Sequence, residues 1–203
     1  MAPRPWYVVF AGVNGSGKST LYQTGLWRTA TMPKSMMRVN PDELLRAQGG
    51  SWESSRDQFA AGKAALTTID ECLANRRSFN QETTLTGHKS LQTIKQAHAL
   101  GYRVHLLYVG VENEQIALER IAHRIEIGGH GIDEELVRRR FRTSLSNSCK
   151  ALPYCDEAHV FDNTAAFKHL ALWNHDTLAW WGASRAIGAW LGDAMTDEEL
   201  WRR

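Results

Sequence analysis

The sequence predicts an α/β protein built on a mostly parallel central sheet. Three observations carry that prediction. Helical and extended patterns alternate from the start of the chain to about residue 163. Two extended runs, Tyr7 to Phe10 and "YRVHLLYVGV" at 102–111, are apolar almost without a break, as in strands covered on both faces. A glycine-rich loop, "AGVNGSGKST" at 11–20, follows the first of these runs directly.

Tyr7 to Phe10 is read as the first strand, and a helix is expected from about Lys18. "MMRVN" at 36–40 is a second strand, and "PDELLRA" at 41–47 starts a short helix. Residues 55–77 form a long helix with Phe59, Leu66, Ile69 and Leu73 expected on one buried face. "SFNQETT" at 78–84 is a third strand with polar residues at its end. A helical pattern over 88–100 is closed by Gly101, and the strand at 102–111 follows. Residues 113–127 are helical, and "GGHG" at 128–131 breaks the pattern. Asp133 reads as the N-cap of the next helix, with Glu134 and Glu135 in its first turn. "AHVFDN" at 158–163 is the last parallel strand; "FKHLALWNHDTLAWW" at 167–181 fits an edge hairpin or a loop, before a helical tail.

Composition bounds the rest. The chain has 203 residues, 43% hydrophobic and 23% charged, with a net charge of +2, ordinary for one soluble domain. We read a single domain over 1–203, with a lid at about 113–145 and a C-terminal extension at about 164–203. No apolar stretch reaches the ~18–20 residues of a membrane span, and the N-terminal run is too short for an export signal. A cytoplasmic protein is expected. Cys72, Cys149 and Cys155 match no zinc spacing and no disulfide framework. Trp173, Trp180, Trp181, Trp190 and Trp201 crowd the C-terminal extension and are expected to pack as a small aromatic satellite core. Few basic residues are interleaved there, which argues against a base-stacking platform.

The glycine loop fills the pattern G-x-x-x-x-G-K-[ST] completely, from Gly12 through Asn14, Gly15, Ser16, Gly17 and Lys18 to Ser19 and Thr20. Glycines let successive backbone N–H groups point into one concavity that cradles phosphates. Lys18 would reach the β and γ phosphates, and the Ser19 hydroxyl would ligate Mg²⁺. A nucleoside triphosphate, with ATP and Mg²⁺ as the expected pair, is therefore the predicted ligand. No N-K-x-D guanine-reading motif is present, and "HLLYVGVE" carries no acid at its immediate end, only Glu112 nearby. That combination suits a small kinase with a three-layer fold and a mobile lid, transferring to a small-molecule acceptor.

A kinase needs a group to orient or deprotonate the acceptor hydroxyl. Asp42, just beyond the second strand, sits where parallel sheets place their ligand crevice. The other reading makes it only a cap for the helix after Pro41. Alternation puts Glu82 and Thr84 on one side of the third strand, where both could bond the acceptor; Glu82 could instead hold Mg²⁺ through water. Arg120 and Arg124, four apart, share a helix face and could meet the transferring phosphoryl group. His130 lies in the glycine hinge and reads as a lid contact to nucleotide or substrate. Arg138 and Arg142 read as a solvated basic face.

Taken in order, "GVNGSGKST", "VNPDEL", "QETT" and "RIEIGGHGIDEELVRRRF" resemble the zeta-toxin family of small kinases. The resemblance runs from about Tyr7 to Asn163. It implies a P-loop kinase fold using ATP and Mg²⁺, with Asp42 as base and Glu82 and Thr84 at the substrate pocket. Of the family's two lid arginines, the first corresponds to Arg120 or Arg124, and the second falls near His130 or in the Arg138 to Arg140 run. The resemblance also implies a UDP-sugar acceptor such as UDP-N-acetylglucosamine, and restraint by a small antitoxin protein. The chain is shorter than the toxins proper and little precedes its first strand, which bears on the acceptor more than on the kinase chemistry. Two further readings follow from the residues: a polynucleotide end kinase using the arginines at 138–142, disfavoured by the near-neutral charge, and a nucleotide-dependent regulator with no acceptor.

Overall fold

The computed structural model describes residues 3–184 and 187–196. Among them, one sheet has the strand order β2-β3-β1-β4-β5-β6-β7. β1 (Trp6–Ala11) is central, buried at every position, and paired in parallel with β3 (Phe79–Thr83) and β4 (Arg103–Gly110). β2 (Met37–Val39) and β5 (Glu157–Asp162) extend the parallel region on either side. β6 (Lys168–Asn174) and β7 (Thr177–Trp181) complete it as an antiparallel hairpin, turned through His175 at φ 55°. The α/β class with a mostly parallel sheet is as the sequence predicts, and the 167–181 segment takes the hairpin form.

The alternation of side chains makes two cores. Tyr7, Val9 and Ala11 face one side with Val104, Leu106 and Tyr108, against α3 (Ser55–Ala74), α4 (His88–Ala99) and the end of α6 (Glu134–Ala151). Trp6, Val8 and Phe10 face the other side with Leu107 and Val109, against Leu21 of α1 (Lys18–Thr24) and the Trp27 to Met32 segment. Tyr7, Phe10, Phe79 and Tyr102 are the largest of the fully buried side chains across the two cores. Each contributes on the order of 1.5–3 kcal/mol through the apolar area removed from water. α5 (Glu114–Glu126) packs with α6 over the strand ends, joined by Val13, Val111, Ala117, Ile121 and Val137.

Two expectations change. In α3 the buried stripe runs through Ala61, Ala65, Ile69, Cys72 and Leu73, while Phe59 is 75% exposed and Leu66 38%. Small residues let the helix approach the sheet closely, so Ala61 and Ala65 share its inner face with the expected Ile69 and Leu73. Among the described residues the tryptophans form no separate core. Trp173 is buried in the main core and Trp190 packs against it, whereas Trp180 and Trp181 are exposed on the edge strand; Trp201 lies outside the described residues. Among the described residues, no helix is long and apolar enough to cross a membrane.

What positions the site is register. Ala11 of β1 lies beside Thr83 of β3 and Tyr108 of β4, so the loops leaving these strands open on the same edge. α2 (Pro41–Ala47) begins directly after β2 on that edge.

Candidate active site

The loop after β1 is held in shape by tight packing. Gly15 and Gly17 have φ of 80° and 102°. A Cβ on Gly15 would lie 2.4 Å from the Ala117 carbonyl oxygen, and one on Gly17 would lie 2.3 Å from the Asn163 side-chain nitrogen. Conformation and space both require glycine there. Asn163 Nδ2 donates to the Ser16 carbonyl at 2.8 Å, clamping the loop to the end of β5. Ser16 is fully buried, and its hydroxyl has no hydrogen-bond partner among the described residues.

Lys18 is buried at the start of α1, and its Nζ donates back to the Val13 carbonyl at 2.9 Å. Burial lowers its pKa; Glu82 and Asp42 oppose that shift, and Arg124 and Arg140 add to it. A buried ammonium resting on its own loop among other cations gains by exchanging that carbonyl for an anion. Ser19 and Thr20 follow it, both exposed.

Glu82 is the hub opposite the loop. Its Oε1 accepts from the Ser19 hydroxyl at 2.7 Å. Its Oε2 accepts from Arg38 at 2.6 Å and from Asn40 Nδ2 at 3.0 Å. Arg38 also pairs with Glu43 at 3.0 Å, and its guanidinium lies 3.7 Å from the centre of the Tyr22 ring. Thr84 lies just past the end of β3, where its hydroxyl pairs with Thr86 at 2.9 Å. Sequence reasoning missed Arg38 and Asn40. Their two-residue spacing, Arg38 on β2 and Asn40 just past its end, beside a strand carrying a carboxylate near its own end, is the signal that could have found them.

Asn40 caps α2, its side chain accepting from the Asp42 N–H at 2.9 Å. The capping role therefore belongs to Asn40, and the Asp42 carboxylate is left to point elsewhere. Its Oδ2 lies 2.8 Å from His130 Nε2 across the crevice. Burial pushes the Asp42 pKa up, but the His130 hydrogen bond and the charges of His130, Lys18 and Arg124 outweigh it, and the net shift is downward.

The arginines of α5 and α6 divide. Arg124, near the end of α5, has Nε and one terminal nitrogen buried without a hydrogen-bond partner among the described residues. Burial lowers its pKa, while Asp42 and Glu82 act to raise it. The backbone at Gly129 folds over this side chain: its N–H donates to the Arg124 carbonyl at 2.8 Å, and a Cβ there would lie 2.5 Å from Arg124 Cγ. Arg140, on α6, donates to Asn14 Oδ1 at 3.0 Å and so ties α6 to the glycine loop. Arg120 instead donates to the Thr164 carbonyl at 3.0 Å, near the loop after β5. Arg138 pairs with Glu114 at 2.6 Å on the surface. The structure thus gathers Lys18, Arg124 and Arg140 about Asp42, and turns Arg120 and Arg138 away to other partners.

The chain is 31% identical over 137 residues to an uncharacterized protein of Haemophilus influenzae, covering 66% of this chain and 91% of that protein. Its fold is similar to the crystal structure of AvrRxo1-ORF1:-ORF2 with ATP, at a TM-score of 0.68 and 14% identity, covering 96% of this chain and 64% of the other. It is also similar to the PezAT chromosomal toxin-antitoxin system of Streptococcus pneumoniae, at a TM-score of 0.60 and 14% identity, covering the whole of this chain and 89% of the other. These likenesses place it among P-loop kinase-like folds, and the chain spans less than two thirds of the AvrRxo1 chain it matches. The Zeta toxin family description matches residues 1–168, and by that match the chain belongs to the Zeta toxin family.

Proposed function

We propose that the protein is an ATP-dependent kinase that transfers the γ-phosphoryl group to a hydroxyl of a small molecule. The observation that carries the reading is the convergence of Lys18, Arg124, Asp42 and Glu82, whose charges act on one another across a single crevice. Such a set combines cations for a phosphoryl group, a carboxylate for an acceptor and oxygen donors for a metal.

The backbone of the glycine loop and Lys18 would bind the triphosphate. The Ser19 hydroxyl and Glu82, 2.7 Å apart, are hard oxygen donors of the kind Mg²⁺ takes, directly or through water. Mg²⁺ supplies charge neutralisation between the phosphates. Asp42 accepts the proton of the acceptor hydroxyl. Its lowered pKa keeps it ionised at neutral pH and makes it a weak base, which suits a loose transition state in which orientation outweighs early proton removal. His130 holds the carboxylate in place. The open N–H groups of Arg124 would be spent on the equatorial oxygens of the transferring group.

The family resemblance favours a UDP-sugar acceptor such as UDP-N-acetylglucosamine. The toxin-antitoxin pairing named for PezAT likewise favours a small antitoxin as partner. The test is incubation with Mg²⁺-ATP and a panel of UDP-sugars, read by mass spectrometry. Gain of one phosphate on a UDP-sugar, lost in Asp42→Asn, is the expected result. Turnover with another metabolite and none with UDP-sugars would remove the nucleotide-sugar. Against the end-kinase reading, Arg138 pairs with Glu114 and Arg140 with Asn14, which leaves Arg139 and Arg142 exposed and unpaired on that run among the described residues.

A further inference from the structure

Beyond the crevice, a second cluster of chemistry-bearing side chains sits toward the start of β4 and β5. The parallel register sets His105 beside Glu157 and Leu107 beside His159. Alternation then puts His105, Glu157 and His159 on one face of the sheet. Their donor atoms all lie within 4.8 Å of one another. His105 Nδ1 is 3.6 Å from Glu157 Oε2, and His159 Nε2 is 3.3 Å from the same oxygen. Ligands held ~2.0–2.2 Å from a tetrahedral zinc ion stand ~3.4 Å from each other. The two contacts to Glu157 have that spacing.

We propose that His105, Glu157 and His159 bind a transition-metal dication of the zinc class, with His169 orienting the site. The β5–β6 register shifts between Val160 and Phe161, and this irregularity brings β6 round so that His169 Nε2 lies 3.3 Å from His159 Nδ1. When His159 Nδ1–H donates to His169, the lone pair of His159 Nε2 faces the Glu157 carboxylate. In that tautomer a cation between Nε2 and the carboxylate relieves the repulsion of two acceptors at 3.3 Å; in the other, Nε2–H donates to Glu157 itself. A ligating histidine anchored through its other nitrogen is the usual outer-shell arrangement of metal sites. Two imidazoles and a carboxylate are a zinc-type donor set that leaves a fourth position for water.

The surroundings fit the same reading. His105 is buried and lies edge-on to Trp6, with ring centres 4.7 Å apart, which fixes its orientation. Glu157 and His159 are partly exposed, at 41% and 23% of their side chains, so an ion has a path in. His105 precedes the end of β4 at Gly110 by five residues, or ~16 Å of strand. The ion would therefore sit away from the reacting phosphates and fasten β5 to β4.

The test uses full-length protein freed of any histidine tag, titrated with Co²⁺ and Zn²⁺. The expected result is one ion per chain, visible Co²⁺ absorption bands displaced by Zn²⁺, and a rise in melting temperature with Zn²⁺. Glu157→Gln, which keeps size and shape, and His159→Ala should each abolish the bands while circular dichroism stays native. Ser19→Ala should keep them, which separates this site from the Mg²⁺ position. Absence of bands in folded wild type, bands that persist in both site variants, or bands lost in Ser19→Ala would overturn the proposal.

Discussion

Asp42 and Arg124 show how single residues in this site are held away from their resting preferences. Asp42 is ionised by its neighbours, so Asp42→Asn should keep ATP affinity and cut kcat by ~10²–10⁴-fold, as measured in steady-state transfer assays. Its contribution to stability is present above the ordinary carboxylate pKa and is lost as pH falls through the lowered folded value, below about pH 4. Among the described residues Arg124 has two buried nitrogens without partners, which costs desolvation free energy. Arg124→Met should raise the melting temperature without ATP and lower kcat by ~10²–10³-fold. Lys18 has a lowered pKa, chiefly from burial. ATP binding needs its charged form, so affinity should fall as pH rises toward about pH 10, beginning below the ordinary lysine value. Calorimetric titration across that range checks the sign, and an affinity flat with pH would contradict it. At this scale the sequence was legible where one local stretch carries the chemistry, as in Gly12 to Ser19. It was opaque where partners come from distant strands. That Glu82 would be bonded by Ser19, Arg38 and Asn40 depends on strand register, which no single segment contains.

At the scale of elements, the turn between α5 and α6 acts as one unit with Arg124 and His130. Gly129 leaves no room for a methyl group beside Arg124 Cγ, and Gly131 leaves little beside Ile125 and Trp52. Gly129→Ala should therefore displace Arg124 and strain the turn against the Arg124 carbonyl, reducing kcat more than it changes the KM for ATP and lowering the melting temperature by a few degrees, without unfolding. Steady-state kinetics together with a thermal melt distinguish that outcome from general unfolding. Most elements could be read from periodicity and caps. Asp133 caps α6 as expected, its side chain accepting from the Leu136 N–H at 2.9 Å. The inner face of α3 was legible at Ile69 and Leu73 but not at Ala61 and Ala65, which carry no hydrophobic signal comparable to Phe59, yet close approach to the sheet selects them.

For the whole molecule, the parallel order β2-β3-β1-β4-β5 puts the glycine loop, Asp42 and Glu82 on one edge, and α5 and α6 pack beside the loop through Val13 and Val111. Alternating strands and helices made that class legible in the sequence. The pairing of hairpin to sheet and the fate of the tryptophans were not, since edge strands expose large residues as readily as they bury them. The measurement that tests the account most directly is transfer of label from γ-labelled ATP into a cell metabolite extract, with products identified by mass spectrometry. The account predicts a phosphorylated small molecule formed by wild type, and none formed by Lys18→Ala or Asp42→Asn. A wild type that labels no acceptor, or an Asp42→Asn protein that labels it at the full rate, would contradict it.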